Sequence, residues 1–329
     1  MKIKKLHIKN FKSIADLEII EPNPFTVFVG PNGSGKSNIF EALEFWNLNQ
    51  RVSDGFVSHF FGGESSFLRS EKLDLSFFVE FQENHFEMRR MLLEKVNKKY
   101  FTFGTDADGR EDFASDYLPN FEHFFRYFSR VFISKEDLQK LNYDDSNSLN
   151  LSANNLEKVL GRILKDKFKK EELLEWSSLF IPEFEDVFIE SSRNKDTLIV
   201  REKFSDKDFT KELLSDGTYN ILALLTAVLQ SHDGEPQFLC IEEVENGLNP
   251  KVVRELVGFF RYACEEKGHY IWLNTHSQTL LAELKEEELI VVDKKKGETQ
   301  IKQFKKGDFY GLRADEALLT NVLGGGIPW

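Results

Sequence analysis

Gly30-Pro31-Asn32-Gly33-Ser34-Gly35-Lys36-Ser37 follows the apolar run Phe25-Thr26-Val27-Phe28-Val29 and precedes a stretch in which Ile39, Phe40, Leu43 and Trp46 recur at helical spacing. The octapeptide matches G-x-x-x-x-G-K-[ST], a pattern that arises by chance in roughly one chain in a hundred of this size. Here it has the strand before it and the helix after it that a phosphate-binding loop needs. Gly33 and Gly35 let successive backbone N–H groups converge on phosphate oxygens, where a Cβ would obstruct them. Lys36 supplies a point charge to the β and γ phosphates, and Ser37 offers a hydroxyl to Mg²⁺. The following helix turns its positive end toward the same phosphates. The candidate nucleotide-binding set is therefore Asn32, Gly33, Ser34, Gly35, Lys36, Ser37 and Asn38.

Outward from the loop, short apolar strands alternate with helical periodicity, which predicts an α/β fold with a mostly parallel core sheet. Gln237–Ile241 reads as a buried strand that runs into Glu242-Glu243, and Tyr270–Asn274 as another, with a helix over 250–266 between them. Two acids on a strand end downstream of a phosphate loop suit one carboxylate for Mg²⁺ and one for the attacking water. Residues 2–9 and 16–20 read as strands around Asn10-Phe11-Lys12-Ser13, and 73–81 with 86–93 as a further pair. Residues 97–120 are polar and read as loop. A helical pattern over 155–180 and 218–229, with a hairpin across Asn194-Lys195, reads as an inserted lobe; 289–292 and 299–304 read as a final hairpin.

Composition sets the outer bounds. The 329 residues are 41% hydrophobic and 30% charged, which excludes a disordered tail protein, a collagen-like chain and a disulfide scaffold. The 32 Phe predict a largely aromatic core. No run of eighteen apolar residues is present and no signal-peptide segment opens the chain, so a membrane span is not expected. Cys240 and Cys264 show no metal-like spacing, which fits a cytoplasmic protein. A net charge of −12 argues against nucleic-acid binding by bulk charge and leaves only local patches for it.

Four further stretches carry a family resemblance. Leu214-Ser-Asp-Gly-Thr218 resembles the signature motif of ABC-type ATPases in its RecF/SMC-like form. Glu242-Glu243-Val-Glu-Asn-Gly-Leu-Asn-Pro250 is similar to their Walker B and D-loop segment, Thr275-His276-Ser277 to their switch-histidine motif, and Ile8-Lys-Asn-Phe-Lys-Ser-Ile14 to their first strand turn. These motifs stand in the family's order from residue 8 to residue 277. The resemblance implies Glu243 as catalytic base, Glu242 as the Mg²⁺-side acid and His276 on the γ-phosphate. It also implies that Ser215 and Gly217 act in trans, closing over the ATP of a second subunit in a head-to-tail homodimer or higher even oligomer. Ser215 precedes a helix and has an ordinary N-cap as its alternative reading; its place relative to the other motifs favours the phosphate role. Lys12 could reach the nucleotide, as basic residues do there in the family, or remain a solvated lysine.

On that basis residues 1–320 are expected to form the ATPase head, with a nucleotide-binding lobe from 1–134 and 236–320, an antiparallel β subdomain, and the helical signature lobe 135–235 inserted. A flexible tail is expected at 321–329. Glu242 stands where Asp is usual, which suggests slow turnover, and Gln139 is the weak candidate for a Q-loop glutamine. The interval of about 180 residues between phosphate loop and signature lacks sustained heptads, so a compact head without a coiled coil is expected. No second active site is apparent, which makes any effector a separate chain. The resemblance extends to stand-alone ATPases of bacterial anti-phage defence modules, which control a separately encoded nuclease or toxin. A RecF-like DNA-repair ATPase and a slow or non-hydrolysing ATP-gated scaffold are the rival expectations. Lysines 294–296, 302, 305 and 306, with Lys2, Lys4, Lys5 and Lys9, could meet nucleic-acid phosphates or form a charge-balanced surface. The tail Leu323–Trp329 offers an apolar hook on a glycine tether.

Overall fold

Four short strands that are apolar on both faces hold the centre of the computed structural model, which describes residues 2–52, 54–82, 85–94, 97–105, 111–113, 127–133, 148–192, 195–231 and 234–319. They are β3 (Phe25–Val29), β12 (Phe238–Glu242), β13 (Tyr270–Asn274) and β14 (Leu289–Lys295). With β8 (Phe128–Phe132) and β15 (Glu298–Gln303) they form a six-stranded sheet in the order β15-β14-β3-β13-β12-β8. All neighbours are parallel except the final hairpin β14–β15. Continuous apolar strands of this kind need cover on both sides.

The two faces divide by alternation along each strand. Val27, Val29, Leu239, Ile241, Ile271, Leu273 and Val291 point into one apolar cluster, which also takes in the helices α4 (Leu156–Ile163), α5 (Lys167–Phe180), α6 (Asp216–Leu229) and α7 (Pro250–Lys267). Phe28, Phe238, Cys240, Tyr270, Trp272 and Val292 point into the other, against α1 (Lys36–Arg51), the short helices α2 (Asp54–Phe60) and α3 (Glu64–Phe67), and an antiparallel sheet. That second sheet runs β2 (Ile14–Ile20), β1 (Ile3–Phe11), β4 (Ser76–Phe81), β5 (His85–Glu94), β6 (Asn97–Thr105), β7 (Glu111–Phe113). Its join to α1 is aromatic, as the phenylalanine count predicted: the Phe45 ring lies 4.7 Å from Phe67 and 5.7 Å from Phe11.

Local signals explain the element ends. Asn249 caps α7 by accepting from Lys251 N at 2.8 Å, Pro250 opens the helix, and Gly268 closes it in the left-handed conformation at φ 68°. Asp166 caps α5 through the N–H groups of Phe168 and Lys169. The segment between β8 and β12, neighbours in the parallel sheet, carries α4–α6 together with a three-stranded sheet of β9 (Phe184–Ser192), β10 (Lys195–Glu202) and β11 (Asp208–Thr210). Residues 97–105 and 111–113 depart from the loop reading: they are strands, and β6 pairs with β5 along most of its length. Backbone pairing carries the polar residues among them, Tyr100, Phe101 and Phe103 supply β-forming aromatics, and Thr102 turns inward to accept from Trp46 Nε1 at 3.0 Å. Gln139 and the tail 321–329 lie outside the described residues. No described helix is long and apolar enough to cross a membrane.

Candidate nucleotide site

Parallel register brings the chemistry to one edge. Glu242 pairs with Asn274 across β12–β13, and Asn274 with Phe28 across β3–β13, so three strands end together beside the loop that follows β3. Ligands of open α/β sheets bind at these carboxyl ends.

The phosphate loop itself is tightly specified. Gly35 precedes α1 at φ 104° and supplies no side-chain cap, so the first amides of a sixteen-residue helix are left for a ligand. A Cβ on Gly35 would stand 2.0 Å from Thr299 Oγ1 and 2.8 Å from Ser13 Oγ. Thr299 Oγ1 donates to Ser34 O at 2.9 Å, and Asn38 Nδ2 donates to Ser13 Oγ at 2.6 Å, so the turn β1–β2 and strand β15 pin the loop from behind. Ser34 Oγ is buried without a hydrogen-bond partner. Lys36 Nζ donates to Gly30 O at 2.7 Å and Pro31 O at 3.1 Å. Burial lowers its pKa to about 8, against the opposing pull of Glu243, Glu242 and Glu245.

Ser37 Oγ donates to Glu242 Oε2 at 2.5 Å, and Asn274 Nδ2 reaches the same oxygen at 3.0 Å. Oε1 of Glu242 accepts from Arg130 Nε at 2.6 Å. Burial pushes the Glu242 carboxyl up, but Arg130, Ser37 and Asn274 outweigh it and hold the pKa below the ordinary carboxylate value. The next residue, Glu243, takes a left-handed backbone at φ 49°, with its N–H donating to Asn274 Oδ1 at 2.9 Å. That turn separates the two acids: Glu242 stays with Ser37, while Glu243 Oε2 accepts from Asn246 Nδ2 at 2.9 Å. His276 is fixed through its backbone N–H, 2.7 Å from Glu245 Oε1, and Thr275 Oγ1 donates to the other oxygen of Glu245 at 2.8 Å. Burial and Lys36 lower the His276 pKa, which favours the neutral imidazole.

Ser215 stands as the N-cap of α6, and Gly217 in its first turn faces the segment after Glu243. Ser215 Oγ accepts from Thr218 N at 3.1 Å, so the N-cap expected of it is present. A Cβ on Gly217 would lie 2.9 Å from Gly247 O, and Asn220 Nδ2 donates to Asn246 O at 2.8 Å. Lys12 is engaged within the chain: its Nζ binds Glu41 and lies 5.9 Å from the Phe11 ring centre. Two of the first-strand lysines are met across the hairpin, Lys5 by Glu18 and Lys9 by Asp16.

Sequence reasoning missed Arg130, Asn274, Asn246 and Glu245 as members of the site. Glu245 and Asn246 lay within the Walker B and D-loop segment already quoted, and Asn274 ends a strand read from the sequence; no motif contains Arg130. The loop amides, the ammonium of Lys36 and the Ser37–Glu242 pair together fit a polyphosphate with a divalent cation.

A family model described as "AAA domain, putative AbiEii toxin, Type IV TA system" matches residues 25–282. Among curated proteins, the chromosome partition protein Smc of Methanocaldococcus jannaschii is 54% identical over 43 residues, which make up 13% of this chain and 4% of that protein. The DNA replication and repair protein RecF of Lactococcus lactis subsp. cremoris MG1363 is 41% identical over 51 residues, 15% of this chain and 14% of that one. The matches therefore span only a small part of these relatives. An Smc head bound to the C-winged helix domain of ScpA superposes with TM-score 0.55 at 15% identity, covering 91% of this chain and 96% of that one. An Smc head with an extended coiled coil, bound to the C-terminal domain of ScpA derived from Pyrococcus furiosus, gives TM-score 0.54 at 15% identity, over 92% and 96% of the two chains. At such identity the likeness concerns the fold.

Proposed function

The chain belongs to this AAA-domain family and is an ABC-type ATPase head of the SMC/RecF kind, and from that premise we propose that it binds and slowly hydrolyses ATP as a dimerising switch for a separately encoded effector in anti-phage defence. One observation carries the reading: Lys36, Ser37, Glu242, Glu243 and His276 lie around the shared carboxyl edge of β3, β12 and β13. Lys36 and the uncapped amides of α1 bind the triphosphate, while Ser37 and Glu242 hold Mg²⁺. Bound Mg²⁺ supplies charge neutralisation at the phosphate oxygens. Glu243 orients the attacking water and accepts its proton, and neutral His276 meets the terminal phosphate. Ser215 and Gly217 close over the ATP of a second copy, head to tail. The toxin–antitoxin wording of the family description supports work beside a separately encoded partner.

The test is the solution mass of Glu243→Gln by light scattering, with and without Mg-ATP. The expected result is a doubling with ATP that disappears when Lys36 or Ser215 is also replaced. A mass that ignores ATP while the nucleotide still binds overturns the head-to-tail closure. The RecF match favours a second reading, ATP-dependent DNA binding by the closed dimer. Duplex or gapped DNA captured by Glu243→Gln only in ATP, with no partner protein present, would select it.

A further inference from the structure

Strand β8 places a guanidinium directly behind the metal-side acid. Arg130 lies beside Cys240 in the parallel register, two residues before Glu242 on the neighbouring strand. Its Nε donates to Glu242 Oε1 at 2.6 Å, Nη1 to Glu44 Oε2 at 2.5 Å, and Nη2 lies 3.4 Å from Glu41 Oε1. All four residues are buried, with relative exposures between 6% and 9%. Two of the acids come from α1, the helix that begins at the phosphate loop, and the third ends β12. Lys12 takes the second oxygen of Glu41. Oε2 of Glu242 points the other way, to Ser37 and Asn274.

Three buried carboxylates around one point would ordinarily attract a divalent cation, which prefers oxygen ligands. Around Arg130 they are instead spread over a planar fork that reaches each in a different direction. Among the described residues, no three His, Cys, Asp or Glu side chains are placed to hold a metal by themselves.

We propose that Arg130 is the built-in counter-cation of the metal-side acid, a positioning residue that makes divalent-cation binding conditional on nucleotide. It occupies Oε1 of Glu242 and the facing oxygens of Glu41 and Glu44, leaving Oε2 with Ser37 as a pair too poor to hold a metal until phosphate oxygens complete the set. This rests on the nucleotide reading above. It also gives a reason for Glu where Asp is usual: the longer side chain spans Arg130 on one side and Ser37 on the other.

The experiment measures Mn²⁺ binding by electron paramagnetic resonance in the nucleotide-free protein, together with the thermal midpoint with and without Mg²⁺. The unmodified protein is expected to show no site tighter than ~1 mM. Arg130→Gln removes the shared cation, and as the acids draw together the variant is expected to bind Mn²⁺ at least ~10-fold more tightly and to gain thermal stability from Mg²⁺. Arg130→Lys keeps the charge and is expected to create no such site. If Arg130→Gln folds only with metal present, its refolding yield with and without Mg²⁺ reports the same gain. The inference is overturned if the unmodified protein binds Mn²⁺ without nucleotide as tightly as the variant, or if the variant gains neither binding nor metal-dependent stability or yield. Failure of the unmodified protein to bind Mg-ATP at all is a different outcome, which sinks the nucleotide reading and this inference together.

Discussion

A methyl group at Gly35 has nowhere to go: it would meet Thr299 Oγ1 at 2.0 Å, on a backbone at φ 104° that side chains rarely adopt. Gly35→Ala is therefore expected to cost about 2–4 kcal/mol of stability and to abolish binding of a fluorescent ATP analogue. A second residue sets the acid limit. His269 is fully buried, accepts from Gln237 N through Nδ1, and is pushed by burial down to about 4. In the unfolded chain it titrates near 6.5. Between those values the unfolded state carries a proton that the folded state refuses, so stability falls as the pH drops from 6.5 toward 4. The loss amounts to about 2 kcal/mol at pH 5, and His269→Gln should flatten it in urea unfolding compared at pH 7 and pH 5. The phosphate-loop residues and the acid pair could be read from sequence because their chemistry sits in contiguous motifs. Arg130 could not, because its partners Glu41, Glu44 and Glu242 are 86 to 112 positions away and nothing local announces them.

At the start of α6 two roles meet in Ser215, and a pair of substitutions separates them. As an N-cap it accepts from Thr218 N, a bond whose loss in Ser215→Ala costs about 1 kcal/mol. Asp caps a helix as well as Ser does, but its charge repels a phosphate. Ser215→Asp should therefore keep the unfolding midpoint in urea while losing the ATP-dependent doubling of mass. If Ser215→Asp still dimerises with ATP, the residue is a cap and nothing more. Element existence was legible wherever apolar periodicity was strong, as in α6 and α7. It failed at β6, whose polar residues are ordered by pairing with β5 and by the inward hydrogen bond of Thr102 to Trp46. In α1 the apolar periodicity gave the helix but not the partners of its acids: Glu41 and Glu44 are buried, met by cations from β8 and the β1–β2 turn.

Across the whole molecule, the same strands serve both apolar clusters. Ile271 and Leu273 face the helical side while Tyr270 and Trp272 face α1 and the antiparallel sheet, so neither cluster can loosen without exposing the other face of β13. The proposed division of the head into lobes 1–134 with 236–320, and 135–235, therefore need not give separate melting units. Further ties cross between the sheets: the Gln303 side chain bonds both the N–H and the C=O of Ile20 at 2.8 Å, and Thr299 links β15 to Ser13 and to the phosphate loop. One cooperative transition is the expectation. Leu256→Ala on the helical side and Phe77→Ala on the other should each cost about 2–5 kcal/mol and shift that single transition without splitting it. Mg-ATP at a hundred times its dissociation constant should raise stability by about 2.7 kcal/mol in both variants, provided the site is intact. Differential scanning calorimetry reads all of this directly. Two resolved transitions, only one of them moved by ATP, would show that the inserted segment melts on its own and that nucleotide grips one side of the sheet alone.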